Sequence, residues 1–232
     1  MASAQTEGLP TGDEKVEAVR SMFDAIAPRY DLVNRLMTFR MDVGWRKKTI
    51  ASLGLRPGSV VLDLACGTGD LCRGLAGAGL SPVGMDLSYG MLAAARTEAP
   101  LVEADALRLP IPDASVDGVT CGFALRNFKE LQPFFAELGR VVRPGGRIAL
   151  LEVAEPPNPF LRWGHGIYFG KIVPLIGGLL SDGSAYRYLP KSVAYLPEPE
   201  VMLEQLGGSG FVDVDRRLLS TGISQLITAT RA

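Results

Sequence analysis

The sequence predicts an α/β chain, with a largely parallel sheet and helices on both of its faces. Three observations predict it. Strand-like and helix-like segments alternate from Ser59 to Val153, the order that builds parallel βαβ units. The run Val61–Asp70 passes from an apolar strand through a glycine-rich turn into the start of a helix. The last two strand-like runs, Val212–Leu218 and Ile223–Thr230, lie close enough to pair as an antiparallel hairpin.

The elements follow in order. Residues 1–12 (MASAQTEGLPTG) are small and polar and are expected to form a disordered tail. Val16, Val19, Met22, Phe23 and Ile26 recur at helical spacing, and Pro28 interrupts them. Two short helices are expected at Asp31–Phe39 and Val43–Leu53, ahead of a turn at Arg56-Pro57-Gly58. Strand, helix, strand, helix then follow as Ser59–Ala65, Asp70–Ala78, Ser81–Asp86 and Ser88–Glu98, with Ser88 as the helix N-cap. Leu101–Ala104 and Val116–Cys121 read as strands, and Phe128–Val142 as a helix ended by Pro144-Gly145-Gly146. Arg147–Val153 is a strand. Residues 158–194 break the rhythm as an inserted, glycine-punctuated helical segment, and Glu198–Leu206 is the last helix. The expected organisation is one domain over 13–232, with an N-terminal helical cap at 13–57.

Composition narrows the functional classes. The 232 residues can bury a sizeable core. A formal net charge of −1, with no long run of Lys or Arg, gives no field to draw in nucleic acid, and no nucleic-acid partner is expected. The three cysteines, Cys66, Cys72 and Cys121, form no CxxC pair, so neither a metal site nor a disulfide framework is expected. No secretory signal is read at the N-terminus, and no stretch reaches the roughly 18 apolar residues of a membrane span. Ile167–Leu180 comes nearest, but it is short and holds Lys171, Pro174 and three glycines. A cytoplasmic protein is expected.

The densest chemistry lies at Asp63-Leu64-Ala65-Cys66-Gly67-Thr68-Gly69-Asp70. Gly67 and Gly69 carry no Cβ, so a ligand can approach the backbone, and the helix beyond offers free N–H groups. Three readings compete: a tight strand–helix turn, a dinucleotide fingerprint, and an S-adenosyl-L-methionine site. The fingerprint wants a third small residue at 72, a place Cys72 fills only partly. The methionine-sulfonium site gives a use to Asp63, whose carboxylate can accept from the ligand's ammonium, directly or through water. Asp86 follows 19 residues after Gly67, at the end of the second strand, where an acid can accept from ribose hydroxyls. Asp105, after the third strand, sits on the same sheet edge and can accept from an adenine amino group. The alternative for Asp86 is an exposed helix-capping acid.

From Val61 to Val153 the chain resembles the core of class I S-adenosyl-L-methionine-dependent methyltransferases. More narrowly it is similar to the ubiquinone/menaquinone biosynthesis C-methyltransferase family, over roughly residues 16–230. Met22-Phe23-Asp24-Ala25-Ile26-Ala27-Pro28-Arg29-Tyr30-Asp31-Leu32-Val33-Asn34, with Trp45-Arg46, resembles its N-terminal signature. Phe123-Ala124-Leu125-Arg126-Asn127-Phe128 resembles its segment after strand four. Leu151-Glu152 resembles the end of strand five, and Tyr186-Arg187-Tyr188-Leu189-Pro190-Lys191-Ser192 a late motif. The resemblance implies a Rossmann-like seven-stranded sheet, mostly parallel with an antiparallel C-terminal hairpin, and S-adenosyl-L-methionine as cofactor. It places Asp63, Gly67, Thr68, Gly69, Asp86, Leu87, Asp105, Ala106 and Gly122 at the cofactor. Gly122 stands where the family often has a serine. At Leu219-Ser220-Thr221-Gly222-Ile223 a second glycine has become Thr221, and Ile227 stands where the family has a histidine. Those departures put the acceptor in question.

The resemblance implies C-methylation of a prenylated quinol, demethylmenaquinol to menaquinol in the first instance. Another aromatic or isoprenoid acceptor is the alternative, and a catalytically silent cofactor-binding module is a further one. An NAD-dependent oxidoreductase leaves the Ala124–Asn127 stretch and Asp63 without an explanation. A ring carbon becomes nucleophilic when the adjacent hydroxyl, with a pKa near ~10, loses its proton. Arg126 is the candidate for stabilising the oxyanion, against a structural ion pair. Asn127 is the candidate for orienting a hydroxyl, against a helix cap. Tyr30 with Asp31 would close over the cofactor, against an ordinary helix start. His165, the one histidine, reads as a surface or interfacial residue rather than a pocket base. The apolar run Pro159–Leu180 is read as a lid over a prenyl tail with weak peripheral membrane contact, against an ordinary core-packing insertion. No dimer seam is recognisable, and a homodimer stays open beside a monomer.

Overall fold

The computed structural model describes residues 10–173, 175, 188 and 191–232. Most of the expected tail therefore lies outside the described residues, as do much of 158–194 and four residues (186, 187, 189 and 190) of the late tyrosine motif. Gly12, placed in the tail by its sequence, already begins the first helix.

Seven strands form one sheet in the order β3-β2-β1-β4-β5-β7-β6. They are β1 (Val60–Leu64), β2 (Ser81–Asp86), β3 (Leu101–Glu103), β4 (Val116–Gly122), β5 (Val142–Val153), β6 (Phe211–Leu219) and β7 (Ser224–Arg231). The first five are parallel, and β7 runs antiparallel to both β5 and β6. Chain order reverses beside β1, which pairs with β2 on one side and β4 on the other. In open α/β sheets the crevice at that reversal, beyond the strands' carboxyl ends, receives ligands.

The two-residue period of the strands divides the core. Leu62, Leu64, Ile148, Leu150 and Ile227 face one layer, where they pack with Phe134, Phe135 and Leu138. Their sequence neighbours Val61, Ala149, Leu151 and Leu226 face the other, with Trp45, Leu53 and Leu75. Burial on both faces is what makes these strands near-continuous apolar runs.

Eight helices cover the sheet among the described residues: α1 (Gly12–Ile26), α2 (Tyr30–Met37), α3 (Met41–Leu53), α4 (Asp70–Gly77), α5 (Tyr89–Ala93), α6 (Leu131–Val141), α7 (Pro159–Ile167) and α8 (Pro199–Gly208). Ser88 caps α5 as expected, accepting from the Met91 N–H at 3.1 Å. The helix stops at Ala93 rather than Glu98 because the next residues are drawn to the glycine turn, where the Arg96 N–H donates to the Thr68 carbonyl. The helix expected from Phe128 starts at Leu131. Phe128 instead turns its carbonyl to Lys15 Nζ at 2.7 Å and its ring onto Phe134. β5 begins at Val142, not Arg147. Pro144-Gly145-Gly146 is a bulge inside the strand, with Gly145 at φ +74° and a register shift between Val116 and Gly118.

After β5, Asn158 caps α7 by accepting from the Phe160 and Leu161 N–H groups at 2.9 and 3.3 Å. A π-type turn, Tyr168–Ile172, continues it. Val173 is fully buried with Ile26, Val33 and Met37, so the described end of the insertion packs on the N-terminal helices.

Candidate active site

The strand-to-helix turn after β1 is built by its glycines. Gly67 takes φ +55°, and a Cβ there would meet nothing within 4 Å, so the turn is bare toward the cleft. Gly69 takes φ +81° as the residue before α4; a Cβ on it would come within 2.7 Å of Thr97. Gly69 thus lets the chain pack behind the turn and does not form the cleft wall.

Asp86, at the end of β2, holds the turn in place. Its Oδ2 accepts from the Gly67 N–H at 2.7 Å and its Oδ1 from the Ser88 N–H at 2.8 Å. Burial pushes the Asp86 carboxyl up, and these two N–H donors offset only part of the rise. Asp63 lies deeper, fully buried, accepting from Thr120 Oγ1 at 2.9 Å and from Cys72 Sγ at 3.4 Å. Burial pushes its carboxyl up to about 7. Asp105 is exposed and closes its own turn by accepting from the Leu107 N–H at 2.9 Å.

These residues border one cleft of about 140 Å³. Asp63, Gly67, Thr68, Asp86, Leu87, Asp105, Ala106 and Gly122 all line it. Helix α1 supplies the far wall through Val16, Val19, Arg20 and Phe23. Asp24 Oδ1 fastens α1 there, accepting from Ser88 Oγ at 2.6 Å and the Gly90 N–H at 2.8 Å. Asp70 anchors α2 and α3 to the same turn through ion pairs with Arg35 and Arg46, and pairs with Arg73 within α4. Thr68 Oγ1 donates to Asp31, tying the turn to α2.

A second cavity of about 390 Å³ lies alongside. Its walls are mostly apolar, from α1, α2, α3, α7 and the end of β5. The two spaces share Phe23, Tyr30, Phe123 and Asn127 as a common wall. Polar groups are few in the larger cavity. Asn127 Oδ1 accepts from the Tyr188 hydroxyl at 3.3 Å. Burial raises the Tyr30 phenol, which therefore stays protonated, and burial lowers the His165 imidazole, which stays neutral.

Arg126 is buried and carries an ion pair with Glu152. Its Nε also donates to Ser192 Oγ at 3.1 Å and its Nη1 to the Phe123 carbonyl at 2.8 Å. The side chain lines the larger cavity with its charge already balanced. The structure thus brings Tyr30, Arg126 and Asn127 together and adds His165, which sequence reasoning set aside. His165 carries no motif; only the packing of its ring 4.4 Å from Phe169 turns it inward. Arg46 and Cys66, both in the cleft wall, were visible in motifs but had no role read for them.

Comparison with known proteins bears on this pair of cavities. The ubiE/COQ5 methyltransferase family model matches residues 11–231. The chain belongs to the ubiE/COQ5 methyltransferase family. A demethylmenaquinone methyltransferase of Roseiflexus castenholzii is 40% identical over 235 residues, covering 97% of this chain and 98% of its own. One from Thermus thermophilus is 40% identical over 220 residues, covering 90% and 100%. Among solved structures, the [4+2]-cyclase SpnF aligns with a TM-score of 0.65 at 17% identity over 96% of each chain. A cyclase with this architecture shows that the fold alone does not fix the reaction. The cofactor of this family is S-adenosyl-L-methionine, and the smaller cleft offers a bare turn at Gly67, an acid at Asp86 and a second acid beneath at Asp63.

Proposed function

We propose that this chain transfers a methyl group from S-adenosyl-L-methionine to a ring carbon of a prenylated quinol, demethylmenaquinol in the first instance. The observation that carries the reading is the shared wall. A donor cleft and an apolar cavity meet at Tyr30, Phe123 and Asn127, so two ligands can be held face to face there. Such placement is the main contribution a protein makes to this transfer, since the sulfonium donor supplies an already activated methyl group.

Asp86 takes the ribose hydroxyls, Gly67 and Thr68 the methionyl end, and Asp105 with Ala106 the adenine edge. In the larger cavity Asn127 and the protonated Tyr30 orient the quinol hydroxyls. His165 is the one neutral base among the described residues lining it, and it takes the hydroxyl proton. Arg126 stabilises the resulting oxyanion with the part of its field that Glu152 leaves. Residues 13–57 act as a cap over the donor, and the described residues 158–173 as a lid over the acceptor's tail. Phe39, Phe160, Trp163 and Leu175 are exposed beside that lid. Arg40, Arg162 and Lys171 are exposed there too, and residues 32–41 and 159–173 contain no acid. That combination suits weak contact with an anionic bilayer, from which a tailed acceptor is drawn.

A panel of reduced acceptors with labelled donor tests the reading. Demethylmenaquinol should be methylated in preference to tailless phenols, and His165→Gln should lower turnover about 100-fold without weakening donor binding. Transfer to phenols alone would replace the quinol by another aromatic acceptor. Undiminished turnover in His165→Gln would remove the histidine.

A further inference from the structure

The turn joining β6 to β7 places ordinary side chains where the backbone suits glycine. Ser220 and Thr221 take φ +48° and +59°, and Gly222 follows at +99°. For a β-branched residue this left-handed conformation is a steric outlier. Such conformations persist only where the surroundings impose them. Here Trp45 Nε1 donates to Ser220 Oγ at 2.8 Å. Gly222 is pressed onto Pro156 and Pro157 so closely that a Cβ would come within 2.9 and 2.7 Å of them. The turn is thus clamped between α3 and the chain after β5.

The strained residue lines the larger cavity, together with Trp45, Phe123 and Ile223. The Thr221 hydroxyl donates to the Ser220 carbonyl at 2.6 Å. With the hydroxyl turned to the backbone, the methyl is what the side chain has left to show a ligand. We propose that Thr221 is a specificity-determining residue of this cavity: its methyl, held there by the clamped turn, bars acceptors with bulky substituents on the distal ring, the one that carries neither the quinol hydroxyls nor the prenyl tail. The proposal rests on reading the larger cavity as the acceptor site.

The test reads binding rather than turnover. Trp45 and Trp163 both line the cavity, so quenching of their fluorescence reports its occupation. The probes are 1,4-naphthoquinone and the same ring with a tert-butyl group on its distal ring. Wild type should bind the plain ring about tenfold more tightly, the scale of discrimination that a single methyl contact provides. Thr221→Ser keeps the hydroxyl and removes only the methyl, and should reduce that preference to about threefold or less. Thr221→Gly relieves the backbone as well, and should lose the preference while its melting temperature holds or rises. A preference absent from the wild type, or retained in either variant, overturns the proposal. Because no methyl transfer is required, a wild type that discriminates yet never methylates counts against the proposed function and not against Thr221.

Discussion

At the scale of single residues, two carboxylates of the cleft were legible in the sequence to different depths. Asp86 was legible as an acid at the end of the second strand, a place a helix-capping acid could also fill, and its bond to the Gly67 N–H places it beside the turn. Asp63 was legible as an acid inside a strand, but its partners Thr120 and Cys72 were not, since they come from β4 and α4. Complete burial raises its carboxyl to about 7, against the pull of both of those hydrogen bonds. The sign of the consequence follows from linkage. The folded state holds this proton more tightly than the unfolded chain. Its stabilising contribution is therefore complete below about pH 4 and is lost as pH rises through about 7. Asp63→Asn should show a smaller fall in melting temperature between pH 5 and 8 than wild type. Equal falls in the two proteins would mean that Asp63 is ionised throughout.

Secondary-structure elements carry the next set of consequences. The short 3₁₀ turn at Leu125–Asn127 is tied to β5 and to the described end of the insertion through one guanidinium, which contacts Glu152 and Ser192. The motif was visible in the sequence; the pair was not, because Arg126 and Glu152 come together only when β4 and β5 lie side by side. Removing one partner of a buried pair leaves the other charge uncompensated. Arg126→Ala should therefore cost about 3–5 kcal/mol of stability, and its loss of turnover must be read against that. The double variant Arg126→Met/Glu152→Gln should recover much of the loss in chemical denaturation, and failure to recover would show that the guanidinium's other bonds dominate. The exposed side chains Phe160 and Trp163 of α7 make a separate prediction. Replacing both with serine should lower partitioning onto anionic vesicles by about tenfold or more, given the apolar area each would bury. Flotation that does not change would remove the bilayer contact. The same helix shows where sequence reading stops. Its apolar character was evident, yet which residues face inward depends on the packing of Tyr168 and Val173 against the N-terminal helices.

For the whole molecule, the largely parallel sheet with helices on both faces followed from the alternation of elements, and its antiparallel end from the closeness of the last two strand-like runs; the order of the strands within the sheet did not. Boundaries were less legible wherever a distant contact set them, as at Ala93, Leu131 and the bulge at Gly145. The relation between the two cavities was not legible at all. It arises because α1 and α2, far from the sheet in sequence, deliver Phe23 and Tyr30 to the wall that Phe123 and Asn127 form after β4. In the proposed transfer that wall is where the methyl crosses. The most direct measurement supplies donor carrying a ¹³C methyl together with reduced demethylmenaquinone, and locates the label in the product by NMR. The account predicts one labelled methyl on the quinol ring carbon. A label found on oxygen, or donor bound tightly with no label reaching the acceptor, would contradict it.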